Sequence, residues 1–199
     1  MSDLIPVRGA TLAALDISSG FISVGIIILV VYFFIVIFNE FVALRNNIDK
    51  AWANIDVLLK KRLDLIPNLV EIVKGYTKYE RGVLEDLTKI RASALQASGI
   101  PEKAQGSEAI SASLSSVFSL AENYPDLKAS DNFLNLQKAL TVLETQIALR
   151  REFYNDSVML YNTKIKTIPS VFVAYPLSLR PREYFRVEKD VETPVKVTI

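Results

Sequence analysis

The side chains best suited to chemistry in this chain crowd into one stretch, Ala51-Trp52-Ala53-Asn54-Ile55-Asp56-Val57-Leu58-Leu59-Lys60-Lys61-Arg62-Leu63-Asp64. Its acids and bases could pair with one another or bind a polar ligand. Other chemistry is removed by two absences: the 199 residues include no Cys and no His. That excludes thiol nucleophiles, disulfides, imidazole bases, haem attachment and ordinary zinc sites. Carboxylate-only and Ser–Lys chemistry stay open, but no nucleophile and base stand at a recognisable spacing. A carboxylate di-metal centre would need Glu-x-x-His pairs on facing helices. The expectation is therefore a protein that is not an enzyme, with no catalytic, cofactor-binding or metal-ligating residues.

Two arginines fall in the apolar phase of their segments: Arg62, and Arg150 between Ile147 and Tyr154. A charge at such a position must be paired or reach water, because burying it alone costs several kcal/mol. Asp56, Asp64, Glu71 and Glu144 are the candidate partners for these charges. Lys61, its basic neighbour, falls on the solvated face. Further along, Tyr154-Asn155 and Tyr161-Asn162 repeat seven residues apart, so two helical turns stack the tyrosines on one face with the asparagines beside them. Such amides and phenols hydrogen-bond across helices in a bundle. The candidate structural or interaction residues are thus Trp52, Asn54, Asp56, Arg62, Asp64, Pro67, Asn68, Tyr154, Asn155, Tyr161 and Asn162. Two readings stand beside each other for them: a polar layer that fixes helix register, and a polar ligand site.

The elements that position these residues begin with an uncharged run of about 22 residues, 17–38, reading ISSGFISVGIIILVVYFFIVIF between Asp16 and Glu40. A helix needs about 20 apolar residues to cross a bilayer, and no other open element hides its backbone from lipid. A cleaved signal peptide would have a basic leader and a shorter core, whereas Arg8 is the sole basic side chain upstream. Residues 1–16 form a short N-terminal segment and 17–38 a single uncleaved span. Arg45 and Lys50 after it, against Arg8 and the α-amino group before it, lean toward a cytoplasmic C-terminal part. With Arg8, Asp3 and Asp16 set aside, 22 basic residues face 20 acidic ones, which gives no electrostatic case for nucleic acid. Seven glycines and eight prolines favour long helices over sheets.

From Phe41 the apolar positions recur at steps of three and four: Phe41, Leu44, Ile48, Ala51, Ile55, Leu58, then Leu65, Leu69, Ile72, Tyr76, Tyr79 and Val83. This is the seam of a long helix, of coiled-coil type but widened by Leu59, Leu63, Ile66, Val70 and Val73 into a bundle face. Pro67 predicts a kink within it, and Gly75 and Gly82 soften it without ending it. Ser98-Gly99-Ile100-Pro101 reads as a stop, with a loop to Gly106-Ser107 and a second helix over 107–123, Leu114, Val117, Phe118 and Ala121 inward. Tyr124-Pro125-Asp126-Leu127 reads as a turn. Ser130 is placed as the N-cap of a last long helix ending near Ile168 and Pro169, with Phe133, Leu136, Leu140, Leu143, Ile147, Tyr154, Val158, Tyr161, Ile165 and Ile168 as its seam. The fold class is all-α: a single N-terminal transmembrane helix followed by a long-helix antiparallel bundle over 39–170. Residues 171–199 read as a partly ordered tail, with Val195, Val197 and Ile199 alternating like a short edge strand after Pro194.

As a string, residues 51–62 with Asp64-Leu65-Ile66-Pro67-Asn68-Leu69-Val70 and Val73-Lys74-Gly75-Tyr76 resemble the signature of the LemA family. Ala121-Glu122-Asn123-Tyr124-Pro125-Asp126-Leu127-Lys128, Phe133-Leu134-Asn135-Leu136-Gln137, Tyr154-Asn155-Asp156 and Tyr161-Asn162 extend the resemblance in order from Asn39 to about Pro169. The chain departs from the family in having Tyr79-Glu80 where His-Glu is frequent, and Ser178-Leu179 in place of Gly-Phe before Arg182-Glu183-Tyr184-Phe185. The resemblance implies a bacterial-type inner-membrane protein with a very short outer N-terminus, one span and a cytoplasmic helical bundle, and it supplies no reaction. Some relatives are associated with intracellular membrane compartments, which implies a part in membrane organisation.

The expected function is a membrane-anchored scaffold or interaction protein in envelope organisation, quality control or membrane remodelling. The alternative is a sensor or ligand-binding bundle using its internal polar groups. The expected partners are the lipid bilayer and an unidentified protein, with a homo-oligomer left open and nucleic acid set aside. With no Cys or His to build a covalent or metal staple, the bundle is expected to fold without metal, disulfide or cofactor.

Overall fold

The computed structural model describes residues 5–77 and 80–186, with side chains described from Ile22 onward. Helix α1 spans Ile5–Tyr76, an unbroken 72 residues. It has two halves of different physics. From Ile22 to Val36 every side chain is exposed, although nearly all are large and apolar. This helix is long and apolar enough to cross a membrane. From Ile37 a buried stripe begins and recurs at helical spacing through Phe41, Ile48, Ala51, Ile55, Leu59, Ile66 and Leu69 to Val73. Pro67 lies inside α1 without ending it.

The helix stops at Tyr76, earlier than the seam running on to Val83 predicts. Thr77 closes the last turn by directing both its N–H and its hydroxyl at the Val73 carbonyl, each at 3.0 Å. The apolar phase resumes in α2, Arg81–Gln96, because that helix turns back to bury Leu84 and Leu87 against the end of α1. Tyr79, in the expected seam and in the departure from the family, lies outside the described residues. Helix α3, Ile100–Ala121, starts seven residues before the expected position. Pro101 opens that helix, where its missing N–H costs nothing, so the predicted loop over 101–106 is helical. Gly106 instead serves packing: a Cβ there would stand 3.2 Å from the Ala94 side chain of α2.

The expected turn at Tyr124–Leu127 is the short helix α4, Pro125–Lys128, which buries Leu127. Ser130 precedes α5, Asp131–Lys164, in an extended conformation without a side-chain capping bond. Helix α5 runs antiparallel to α1, as Phe41 against Tyr161 and Trp52 against Tyr154 show. Its buried seam is Phe133, Leu140, Ile147, Tyr154, Val158 and Tyr161, with Ile165 just beyond. Ile168 is a correction to that seam: the helix has ended, and the side chain is exposed. Arg150 is another: its side chain is exposed, at a groove it lines with Asn54, Val57 and Leu58 of α1. The segment expected to be a partly ordered tail forms α6, Val171–Ala174, and an extended stretch whose Phe185 is buried in the core. Val195, Val197 and Ile199 lie outside the described residues.

The core divides in two. One cluster, next to the exposed apolar half of α1, gathers Ile37 to Leu59 with Ala104, Ile147 to Ile165, and Val173, Ala174 and Phe185. The other gathers Leu63 to Val73 with Leu84, Leu87, Ile110 to Ala121, Leu127, Phe133 and Leu140. The boundary falls between Leu59 and Leu63 on α1, Ala104 and Ile110 on α3, and Leu140 and Ile147 on α5.

Candidate functional site

A polar layer occupies that boundary. Arg62 is 1% exposed and reaches from α1 toward both α3 and α5. Its guanidinium pairs with the Glu144 carboxylate and donates to Ser111 Oγ at 3.0 Å, to Ser107 Oγ at 2.6 Å and to the Ser107 carbonyl at 3.1 Å. The Ser111 hydroxyl has one proton to give, with Glu144 Oε1 at 2.8 Å and the Ser107 carbonyl at 3.0 Å as acceptors. Arg62 Nε is buried without a partner. Burial pulls the Arg62 pKa below its ordinary value and Glu144 opposes the shift. The ordinary value is so high that the side chain keeps its charge. Of the four carboxylates that could have answered Arg62, the fold delivers Glu144; Asp64 and Glu71 are exposed on the far side of α1. Asp56 pairs with Lys103 of α3.

Beside this layer a cavity of about 270 Å³ opens between α1, α2 and α3, lined by Arg62, Lys103, Ser107 and apolar groups including Leu59 and Ala94. Among the described residues no group of three or more acidic side chains is placed to hold a metal ion.

One contact explains how α1 carries Pro67. Proline has no N–H, so the carbonyl four residues earlier, that of Leu63, loses its helical donor. Arg91 of α2 supplies one, Nε to the Leu63 carbonyl at 2.8 Å. A proline inside a buried helix signals that such a donor is needed, but not which residue provides it. Arg91, Lys103, Ser107 and Ser111 are all residues that the sequence reading did not single out. Ser107 and Ser111 stand four apart on α3, and that spacing of small polar groups was a readable sign.

At the other core the Tyr/Asn repeat has a different partner from the one expected. Instead of bonding across helices, Asn155 and Asn162 clasp the backbone of the extended segment after α6. Asn162 Oδ1 accepts from the Arg182 N–H at 2.8 Å and its Nδ2 donates to the Arg182 carbonyl at 2.9 Å. Asn155 does the same to Phe185, at 2.9 and 3.3 Å. Seven helical residues advance about 10.5 Å, and three extended residues advance about 10 Å. The two asparagines therefore meet backbone positions three apart, 182 and 185, with both the N–H and the carbonyl of each satisfied. Tyr154 donates to the Glu183 carbonyl at 2.8 Å between them. Burial pushes the Tyr154 hydroxyl up to about 12, with Arg182 opposing and Glu183 and Asp49 adding, so it stays a neutral donor. Arg182 also reaches Asp49 of α1 at 3.3 Å.

Trp52 seals this clasp, its ring 5.7 Å from both Tyr154 and Phe185, with the Lys103 ammonium 5.6 Å from the ring centre. Tyr161 packs edge-on against Phe41 at 6.1 Å. Asn54, Pro67 and Asn68 are exposed and join neither group. Of the eleven candidates, Arg62 enters the buried charge layer, Asp56 pairs with Lys103, Trp52, Tyr154, Asn155 and Asn162 build the clasp, Tyr161 packs in the apolar core, and Asn54, Asp64, Pro67 and Asn68 are exposed.

The sequence model of the LemA family matches residues 51–199. Magnetosome protein MamQ 2 of Paramagnetospirillum magneticum is similar over 79% of this chain and 68% of its own length, at 22% identity. Magnetosome protein MamQ of Magnetospirillum gryphiswaldense is similar to the same extent. Protein LemA of Metamycoplasma hominis is 27% identical over 78% of this chain and 73% of its own.

Proposed function

This chain belongs to the LemA family, and from that premise we propose that it is a membrane-anchored, non-enzymatic helical scaffold. Residues 17–38 cross the inner membrane, the N-terminal segment lies outside, and the cytoplasmic bundle presents its surface to a protein partner. The observation that carries this reading is the continuity of α1, whose exposed apolar half passes without a break into the central helix of the bundle. At about 1.5 Å per residue, the 72 residues give a continuous helical path of about 108 Å. Such continuity couples the orientation of the bundle to that of the span. The magnetosome names of two relatives support a part in organising membranes.

Proximity labelling from the anchored chain, with a form lacking residues 1–38 as control, tests the proposal. A reproducible protein neighbour that disappears with the anchor is expected. A labelling pattern that is the same with and without the anchor would remove the scaffold reading.

A ligand-binding bundle is the second reading, favoured by the cavity next to the unpartnered Arg62 Nε. The Tyr154 and Asn155 groups are taken up by the clasped segment, so this reading rests on the Arg62 side alone. Inorganic phosphate and hexanoate, as small anions without and with an apolar tail, are suitable probes. A rise in melting temperature that Arg62→Met abolishes would support it, and no rise with either probe counts against it.

A further inference from the structure

We propose that residues 168–177 form a second membrane contact, an interfacial wedge that places Ile168, Phe172 and Tyr175 among lipid headgroups and upper acyl chains beside the emerging α1. The proposal rests on the anchor reading and adds a surface to it. Along α1 every side chain from Ile22 to Val36 is exposed, and then Ile37 is 5% exposed. The groups gathered with Ile37 include Val173 and Ala174 of α6 and Ile165 at the end of α5. Ile37 still belongs to the uncharged run; the first charge, Glu40, comes three residues later, about 4.5 Å along the helix. Helix α6 packs on α1, and Lys164 at the end of α5, just before the turn into α6, pairs with Glu40, which sets α6 near the level where the apolar run meets water.

The inner side of this segment, Val173 and Ala174, is buried. Its outer side is apolar and bare: Ile168 is 78% exposed, Phe172 69% and Tyr175 86%. Phe172 and Tyr175, three apart across α6 and its C-cap, lie one turn from each other, and Ile168 stands in the turn that leads into the helix. On a surface facing water such a cluster needs a cover. At the depth of Ile37 that cover is lipid, because the bilayer surrounds α1 wherever α6 does not. The chemistry agrees with an interfacial position: aromatic rings prefer the headgroup level. Lys166 and Arg180, exposed on either side of the segment, suit anionic headgroups. A short element with one face in the headgroup boundary is the geometry of an in-plane anchor.

The chain has no cysteine, so single-cysteine variants of the full chain in vesicles of phosphatidylcholine and phosphatidylglycerol can report depth. Phe172→Cys and Tyr175→Cys, each keeping the other aromatic, carry a bimane label, and lipids brominated on the acyl chain act as quencher. Val31→Cys in the span and Asn123→Cys, exposed after α3, are the references. Quenching at 172 and 175 at least threefold above that at 123 is expected. Quenching at 172 and 175 equal to that at 123, with 31 strongly quenched, overturns the wedge and leaves the anchor standing. Absence of quenching at 31 as well overturns both. Disulfide-linked dimers of the unlabelled Phe172→Cys chain, with no lipid quenching of the labelled one, would assign the face to a second copy and also overturn the proposal.

Discussion

Arg62 and Glu144 share one ion pair but not one environment, and this makes their roles unequal. The arginine is almost wholly buried, whereas the Glu144 side chain is 47% exposed. Removing Glu144 leaves a buried guanidinium uncompensated, so Glu144→Ala should destabilise the bundle by about 3–5 kcal/mol. Arg62→Met keeps most of the volume and leaves a carboxylate that water can reach, so its cost should stay below about 2 kcal/mol. Lys61→Ala, on the solvated face, should lie within about 0.5 kcal/mol of the parent. Urea melts rank the three; Arg62→Met costing more than Glu144→Ala would refute the asymmetry. A second residue-scale expectation concerns Pro67. Arg91→Ala should cost about 1.5–3 kcal/mol, the range for a charged donor on a carbonyl. In a Pro67→Ala background the restored amide satisfies Leu63, and the same change should cost under about 0.5 kcal/mol. Equal costs in both backgrounds would mean that Arg91 is doing something other than replacing the missing donor.

Helix α5 holds three things at once: the α1 seam, the Glu144 end of the charge layer, and the asparagine clasp. The clasp is peptide recognition turned inward, two side-chain amides one heptad apart on α5 reading backbone alone at positions 182 and 185. Asn155→Leu with Asn162→Leu should free the extended segment while α1 and α5 stay paired. Trp52 is the only tryptophan in the chain and packs on Phe185, so its emission should shift to longer wavelength and the bond after Arg182 should become trypsin-sensitive. Circular dichroism should change little. An unshifted emission spectrum would show that Phe185 stays in place without the amides. At this scale the periodicity of the helices was legible in the sequence, and their ends were less so. The stop near Tyr76 and the start at Ile100 depend on where α2 turns back and how closely Gly106 meets Ala94, which are distances between elements that a single strand of sequence does not carry.

The molecule has two apolar cores separated by one charged layer, and one of them continues into the exposed apolar half of α1. A one-turn slip of α1 against α5 would move Arg62 away from Glu144 and into Leu140 or Ile147, so the layer penalises every register but one. Orientation in the membrane is testable on the whole chain. Protease added outside sealed cells should leave a C-terminal tag intact, since Arg45 and Lys50 follow the apolar run. Digestion of the tag in sealed cells would reverse the orientation.

Composition and spacing determined the all-α class, the apolar run before Glu40, the exclusion of Cys and His chemistry, and the seven-residue Tyr/Asn repeat. These depend on side-chain type and helical period, which are local properties. They also marked Arg62 as a charge in need of a partner, but four carboxylates were equally eligible along the chain. Only the tertiary structure could choose Glu144, hand the Leu63 carbonyl to Arg91, and turn Asn155 and Asn162 from helix partners into a clasp on residues 182 and 185. Each of those choices joins residues about 20 or more positions apart, and contacts at that separation are fixed by how helices stack.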